Sequence, residues 1–132
     1  MYAITLHAQW ARAIIHGPKR IENRTWLPKI RFPRWILIRA GKQGETGSLK
    51  ELWPDEPEEE PIKGAIIGAA FFSEVLLNSS SPWFLGPYGW KIEKVLQLEE
   101  PIPRLGQLAL WRPGLDIQEK LPQYIRNLLS SD

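Results

Sequence analysis

A chain of 132 residues with 17 Lys/Arg, 15 Asp/Glu and no cysteine is long enough for one domain with a buried core, and it excludes disulfide frameworks and thiolate metal sites. Its formal net charge of +2 conceals a segregation: residues 1–50 hold ten bases against two acids, residues 51–60 six acids and no base, and residues 61–132 seven of each. Two histidines, His7 and His16, are too few for a metal site without carboxylate help, and no metal or cofactor is expected.

Tyr2 to Leu6 alternates and predicts a short strand. Residues 8–16 set Trp10, Ala13 and Ile14 on one helical face, and Gly17-Pro18 stops that helix. Lys19 to Trp26 alternates again and predicts a strand over 20–26. Ile21 and Asn23 then face one way, Arg20, Glu22 and Arg24 the other, with Lys19 at the strand's entrance. A Pro- and Arg-rich connection, 28–34, leads into a buried strand at 35–40. Gly41 and Gly44 break it, and 46–53 reads as one or two helical turns.

Pro54 to Pro61 is rich in proline and acid, has almost nothing to bury, and reads as a mobile surface loop. Residues 62–77 favour a strand by their Ile, Val and Phe content, with Gly64 and Gly68 as bends or bulges. A Ser/Pro/Gly loop at 78–87 carries Trp83 and Phe84. Strands are predicted at 88–98 and 105–111, on either side of Glu100-Pro-Ile-Pro103. An amphipathic helix is expected at about 116–129, with Pro122 delaying or kinking it. About six short, glycine-bent strands, a helix after the first and a C-terminal helix predict an α+β fold: one small β-barrel domain over 1–132. No apolar run approaches the roughly 20 residues that span a bilayer, and the N-terminus lacks the pattern of a signal peptide. The chain therefore reads as a cytoplasmic protein with no membrane partner.

The basic N-terminal half is the electrostatic footprint of a phosphate-binding surface. Alternatively, the acidic run neutralises that face within the same molecule, lying over the basic cleft and competing with nucleic acid. Seven tryptophans (Trp10, Trp26, Trp35, Trp53, Trp83, Trp90 and Trp111) belong mostly to core or rim, leaving one or two to stack a flat ligand. Lys19, Arg20 and Arg24 suit phosphates. Trp10, Trp26, Tyr88 or Trp90 suit bases, and Glu22 rather than Asn23 suits a base edge. The bland reading of Glu22 is an ion pair with Arg20 or Arg24. For catalysis, Lys19 would act as a base only if burial or a neighbouring cation lowered its pKa, with Glu22 activating water and Tyr88 donating a proton. Ser79, Ser80 and Ser81 show no Ser-His-Asp order, and His7 reads as partly exposed. A plain protein–protein module has only the acidic loop in its favour.

The order of these pieces resembles the ASCH domain, of the PUA-like superfamily of small β-barrels. Four segments carry the resemblance: the first strand with the Trp10-Ala11 helix ending at Gly17; Lys19-Arg-Ile-Glu-Asn-Arg-Thr-Trp26; Ile38-Arg-Ala-Gly-Lys42 followed by Gly64-Ala-Ile-Ile-Gly68; and Gly86-Pro-Tyr-Gly-Trp90 with Pro101-Ile-Pro103 and Gly106 through Leu110-Trp111. The chain departs from the pattern at Ala8-Gln9, where similar members carry Gln-Pro, and in the acidic loop at 54–61. The resemblance implies a cleft beside the first helix, lined by the Lys19–Arg24 strand, that binds RNA or a nucleotide. The implied binding set is Trp10, Lys19, Arg20, Glu22, Arg24, Tyr88 and Trp90. Some relatives remove an acyl group from a modified cytidine and others cut RNA, using a lysine where this chain has Lys19. The amidohydrolases pair it with a threonine, where this chain has Glu22, and with a glutamate from a helical segment that has no counterpart here. A hydrolase using Lys19 and Glu22 is the alternative that the resemblance implies.

Overall fold

On β1 (Ala3–His7) Ile4 and Leu6 are buried on one face and Ala3 on the other, and the strand runs without a loop into α1 (Ala8–Ile15). The structure, a computed structural model, describes residues 1–42 and 47–130. The chain continues through β2 (Ile21–Arg24), β3 (Arg34–Gly41), β4 (Ala65–Leu76), β5 (Tyr88–Pro103), β6 (Leu110–Trp111), α2 (Leu115–Gln118) and α3 (Gln123–Leu129). Strand order is β2-β5-β4-β3-β1-β6. β1 lies parallel to β3 and the other pairs are antiparallel.

This sheet is a half-barrel, with β2 and β6 as its hydrogen-bonding edges. Arg24 of β2 nevertheless donates from Nη2 to the Thr5 carbonyl of β1 at 3.3 Å. Four strand spacings of about 4.8 Å separate those strands in a flat sheet, well beyond an arginine's reach, so the contact requires the sheet to curl. The concave side holds Ile4, Leu6, Ile14, Ile36, Ile38, Phe72 and Trp90. A second cluster joins Leu37, Ile66, Ile102 and Trp111 to Ile117, Ile125 and Leu129 of the C-terminal helices and to Leu121 between them. A third gathers Ala13, Ile21, Leu49, Trp53 and Trp83. Among the described residues no helix is long and apolar enough to cross a membrane.

Several boundaries differ from the expected ones. β5 does not stop before Pro101 but continues to Pro103, pairing Ile102 with Ile66 and Gln97 with Gly68. The surplus residues of β5 between those pairs loop out, and prolines that cannot donate to a ladder are tolerated at such irregularities. The expected strand at 105–111 shrinks to Leu110–Trp111. Pro122 splits the C-terminal helix outright, because its ring cannot continue the α2 ladder and instead caps α3. Within 46–53, where one or two helical turns are expected, Leu49 accepts from the amides of Leu52 and Trp53 and closes a single turn. Gly44 and Thr46, at the expected break and turn, lie outside the described residues.

The acidic segment packs against α1. Arg12 donates to the Glu59 carbonyl at 2.7 Å, and buried Glu56 accepts from the Leu49 amide at 2.9 Å. Lys50 pairs with Glu58 at 2.8 Å and Lys63 with Glu60 at 3.5 Å. The expectation that this run lies over the Lys19–Arg24 cleft is therefore corrected: it packs on α1, and Glu56, Glu58 and Glu60 face Arg12, Lys50 and Lys63.

Candidate functional site

The site begins at the end of α1. The Lys19 amide donates to the Ala13 carbonyl at 3.0 Å. Arg20 turns back, and its Nη1 donates to the carbonyls of Ile14, Gly17 and Lys19 at 3.1, 3.0 and 2.8 Å. A cation on the last carbonyls of a helix complements its dipole. Arg20 thus stands apart from Glu22 and Arg24, because β2 begins only at Ile21 and strand alternation does not extend to residue 20.

On β2, Glu22 lies directly across from Trp90 and Arg24 across from Tyr88. Glu22 is 7% exposed and Lys19 2%. Lys19 Nζ stands 3.2 Å from Glu22 Oε1, and Arg24 Nε stands 3.0 Å from Glu22 Oε2. Lys19 also donates to the Ile21 carbonyl. Its ammonium lies 5.3 Å from the Trp10 ring centroid, while the Arg24 guanidinium lies 5.7 Å from that of Trp26. The result is a chain of contacts, Trp10–Lys19–Glu22–Arg24–Trp26, with one carboxylate between two cations. Burial pushes the Lys19 ammonium below the ordinary lysine range; Glu22 opposes this by charge and hydrogen bond, and Arg24 adds to the lowering.

A cavity of about 270 Å³ opens on this cluster, lined by Trp10, Lys19, Glu22, Asn23, Trp83 and Leu85 among others. Trp10 and Trp83 meet edge to face, centroids 6.4 Å apart. Trp83 was not among the expected site residues, although an aromatic in a loop of serines and prolines needs a surface to bury. The serines shape that loop: Ser79 Oγ accepts from the Ser81 amide and Ser81 Oγ from the Trp83 amide, at 3.1 and 3.2 Å. Gly89 admits it closely, since a Cβ there would sit 2.7 Å from the Phe84 ring.

Asn23 holds the loop down. Its Nδ2 donates to the Trp83 carbonyl at 3.0 Å, and its Oδ1 accepts from the amides of Leu85 and Gly86 at 2.8 and 3.1 Å. Asn23→Ala should cost about 2 kcal/mol in urea unfolding and free the loop amides for faster hydrogen exchange. Unchanged exchange at Leu85 and Gly86 would show that the staple is dispensable.

Of the expected set, Trp10, Lys19 and Glu22 line the cavity, and Arg24 backs Glu22. Trp90 does not line it: it is 0% exposed and ringed by Trp26, Phe32 and Phe72. Tyr88 is half-buried against the same core. His7, at the exposed end of β1, also lies outside this cavity. Among the described residues no three His, Cys, Asp or Glu side chains gather as a metal cluster would.

A curled six-stranded sheet, with a helix after its first strand and β2 carrying Glu22 and Arg24 at its edge, defines a PUA-like half-barrel. The family model of the ASCH domain matches residues 4–79, more than half of the chain, and the chain belongs to that family. The matched span contains Trp10, Lys19, Glu22 and Arg24, while Trp83 and Leu85 lie beyond it. The crystal structure of ASCH from Zymomonas mobilis is similar at a TM-score of 0.54 with 16% identity, covering 90% of this chain and 91% of that one. The likeness is one of fold. Comparison with curated proteins found no match.

Proposed function

We propose that this chain is a cytoplasmic RNA- or nucleotide-binding module that takes one nucleobase into the cavity lined by Trp10 and Trp83. The observation that carries this reading is the buried Lys19–Glu22 pair facing two tryptophans. A base presents a flat face and an edge of donors and acceptors. Lys19 has spent two of its three N–H groups, on the Ile21 carbonyl and Glu22, and the third serves a base carbonyl. Each Glu22 oxygen keeps a lone pair for an amino or imino N–H. A volume of about 270 Å³ is below the range of drug-sized sites and suits one base with part of its sugar. The membership of the chain in the ASCH family supports the same reading.

Titration calorimetry with nucleosides and a single-stranded RNA octamer tests it. Trp10→Ala should weaken binding about tenfold, as loss of one stacked ring does. Unchanged affinity in Trp10→Ala and Lys19→Met, or no binding by the wild type, overturns the reading.

A second reading is favoured by one observation: the buried Lys19 ammonium is held below its ordinary range beside an accessible cavity. A lysine so placed can serve as a general base in hydrolysis of an acylated cytidine or of RNA. Product formation lost in Lys19→Met while binding persists would establish it, and binding without turnover by the wild type would refute it.

A further inference from the structure

Arg39 is 6% exposed, yet no carboxylate pairs with it among the described residues. Its Nε donates to the Arg104 carbonyl at 2.7 Å, which leaves the two terminal nitrogens of the guanidinium without an acceptor from the described residues. Those nitrogens are not among the buried polar atoms that lack a partner, so they are open to the cleft beside them and available to a ligand. Burial and the neighbouring Arg104 charge both push this guanidinium below its ordinary value, and an anion in the cleft would offset both.

Arg39 stands in the wall of a cleft of about 500 Å³, with Thr5, His7, Lys42, Gly106 and Gln107 among its lining residues. No described lining residue is acidic. The cleft lies at the carboxyl ends of β1 and β3, where His7 pairs with Gly41 in register. His7 is also the cap residue of α1, whose first turn carries no acid and no side-chain cap, so the positive end of the helix adds to the field. Glycine at 106 lets the loop approach Arg39 closely: a Cβ would stand 2.5 Å from Arg39 Nη1 and 2.7 Å from Thr5 Oγ1, and the guanidinium would have to shift. Leu105 and Leu108, 74% and 94% exposed, give the rim an apolar lip.

We propose that this cleft is a second site, distinct from the Trp10–Trp83 cavity, and that it takes a phosphate group held by Arg39 and Lys42. A planar guanidinium with an ammonium beside it fits the several oxygens of a phosphate better than one carboxylate. The apolar lip then receives the sugar or base that the phosphate carries. Two sources offer that chemistry, the phosphate of a free nucleotide and the backbone of RNA, and the second rests on the RNA reading above.

Amide chemical shifts read by NMR test the assignment, with inorganic phosphate, cytidine 5′-monophosphate and a single-stranded RNA octamer as probes. Inorganic phosphate should move the amides of Gly41, Lys42, Gly106 and Gln107 and leave those of Asn23 and Leu85 in place. Arg39→Gln and Lys42→Ala should each weaken the phosphate response about tenfold, the scale of a charge-assisted hydrogen bond. Lys42 is exposed, so its variant folds even if loss of Arg39 does not. For RNA, Lys42→Ala should also lower the slope of log affinity against log salt by ~0.7, one single-strand phosphate contact. Shifts from the monophosphate alone assign the site to nucleotides, and shifts from the octamer as well assign it to the RNA backbone. Phosphate that leaves the Gly106 group unmoved, or moves it equally in wild type and Lys42→Ala, overturns the proposal. Octamer shifts at Gly106 but not at Leu85 would sink the base-cavity reading and keep this one; octamer shifts at Leu85 with Gly106 unmoved by every phosphate probe would sink this one alone.

Discussion

Glu22→Gln should lower the unfolding free energy by about 3 kcal/mol in urea titration, although it changes one oxygen to nitrogen. The loss is large because the substitution removes the only negative charge between two cations, one of them 3% exposed at its side chain. Removing one member of a buried pair leaves the other without compensation. The double variant Lys19→Met/Glu22→Gln should recover part of the loss, and additive losses would show that the two groups act independently. The pH dependence has a defined sign. Lys19 is held below its ordinary pKa in the folded protein, so between that lowered value and the ordinary one the unfolded chain binds the extra proton. Stability from this group therefore rises with pH across that window. Without Glu22, the main influence raising the Lys19 pKa, the window extends further down. A Glu22→Gln profile parallel to wild type from neutral to alkaline pH would contradict this account.

Trp90→Ala should cost about 4 kcal/mol, the scale of emptying a buried aromatic site. Trp90 is 0% exposed, with ring centroids of Trp26, Phe32 and Phe72 at 5.0, 5.5 and 6.0 Å. Its indole nitrogen has no hydrogen-bond partner among the described residues, so Trp90→Phe sacrifices no hydrogen bond and should lose less than half as much. Binding separates the two uses of this residue. If Trp90 supports β2 from beneath, Trp90→Phe keeps ligand affinity within about twofold. A folded Trp90→Phe that no longer binds would make Trp90 a contact residue.

Much of the architecture can be read from local pattern, because the half-barrel is made of segments whose alternation and breakers agree with it. Gly17-Pro18 ends α1, and the alternation of Ile21 to Arg24 puts Glu22 and Arg24 in one cluster. Arg20 has the right parity but lies one residue before the strand, where helix carbonyls claim it. The two tryptophans exchange expectations for a related reason. Trp90 shares parity with Ile92, 3% exposed, and that alternation already points it inward. Trp83 sits in a loop without periodicity, and only its tie to Asn23, 60 residues away in sequence, brings it to the cavity. Arg39 is hidden in a buried apolar strand, and nothing local distinguishes a structural arginine from one that lacks an anion.

Arg24 performs two tasks that are usually separate. One end of its guanidinium meets Glu22, and another reaches the Thr5 carbonyl across the open side of the sheet. Any sequence change that retunes the charge of the cavity through residue 24 also alters how the two walls of the half-barrel are held together. In evolutionary terms the position is pleiotropic. New ligand preferences should arise more readily through the 82–86 loop, which adjoins the cavity without bridging that seam, than through the strand that forms its floor.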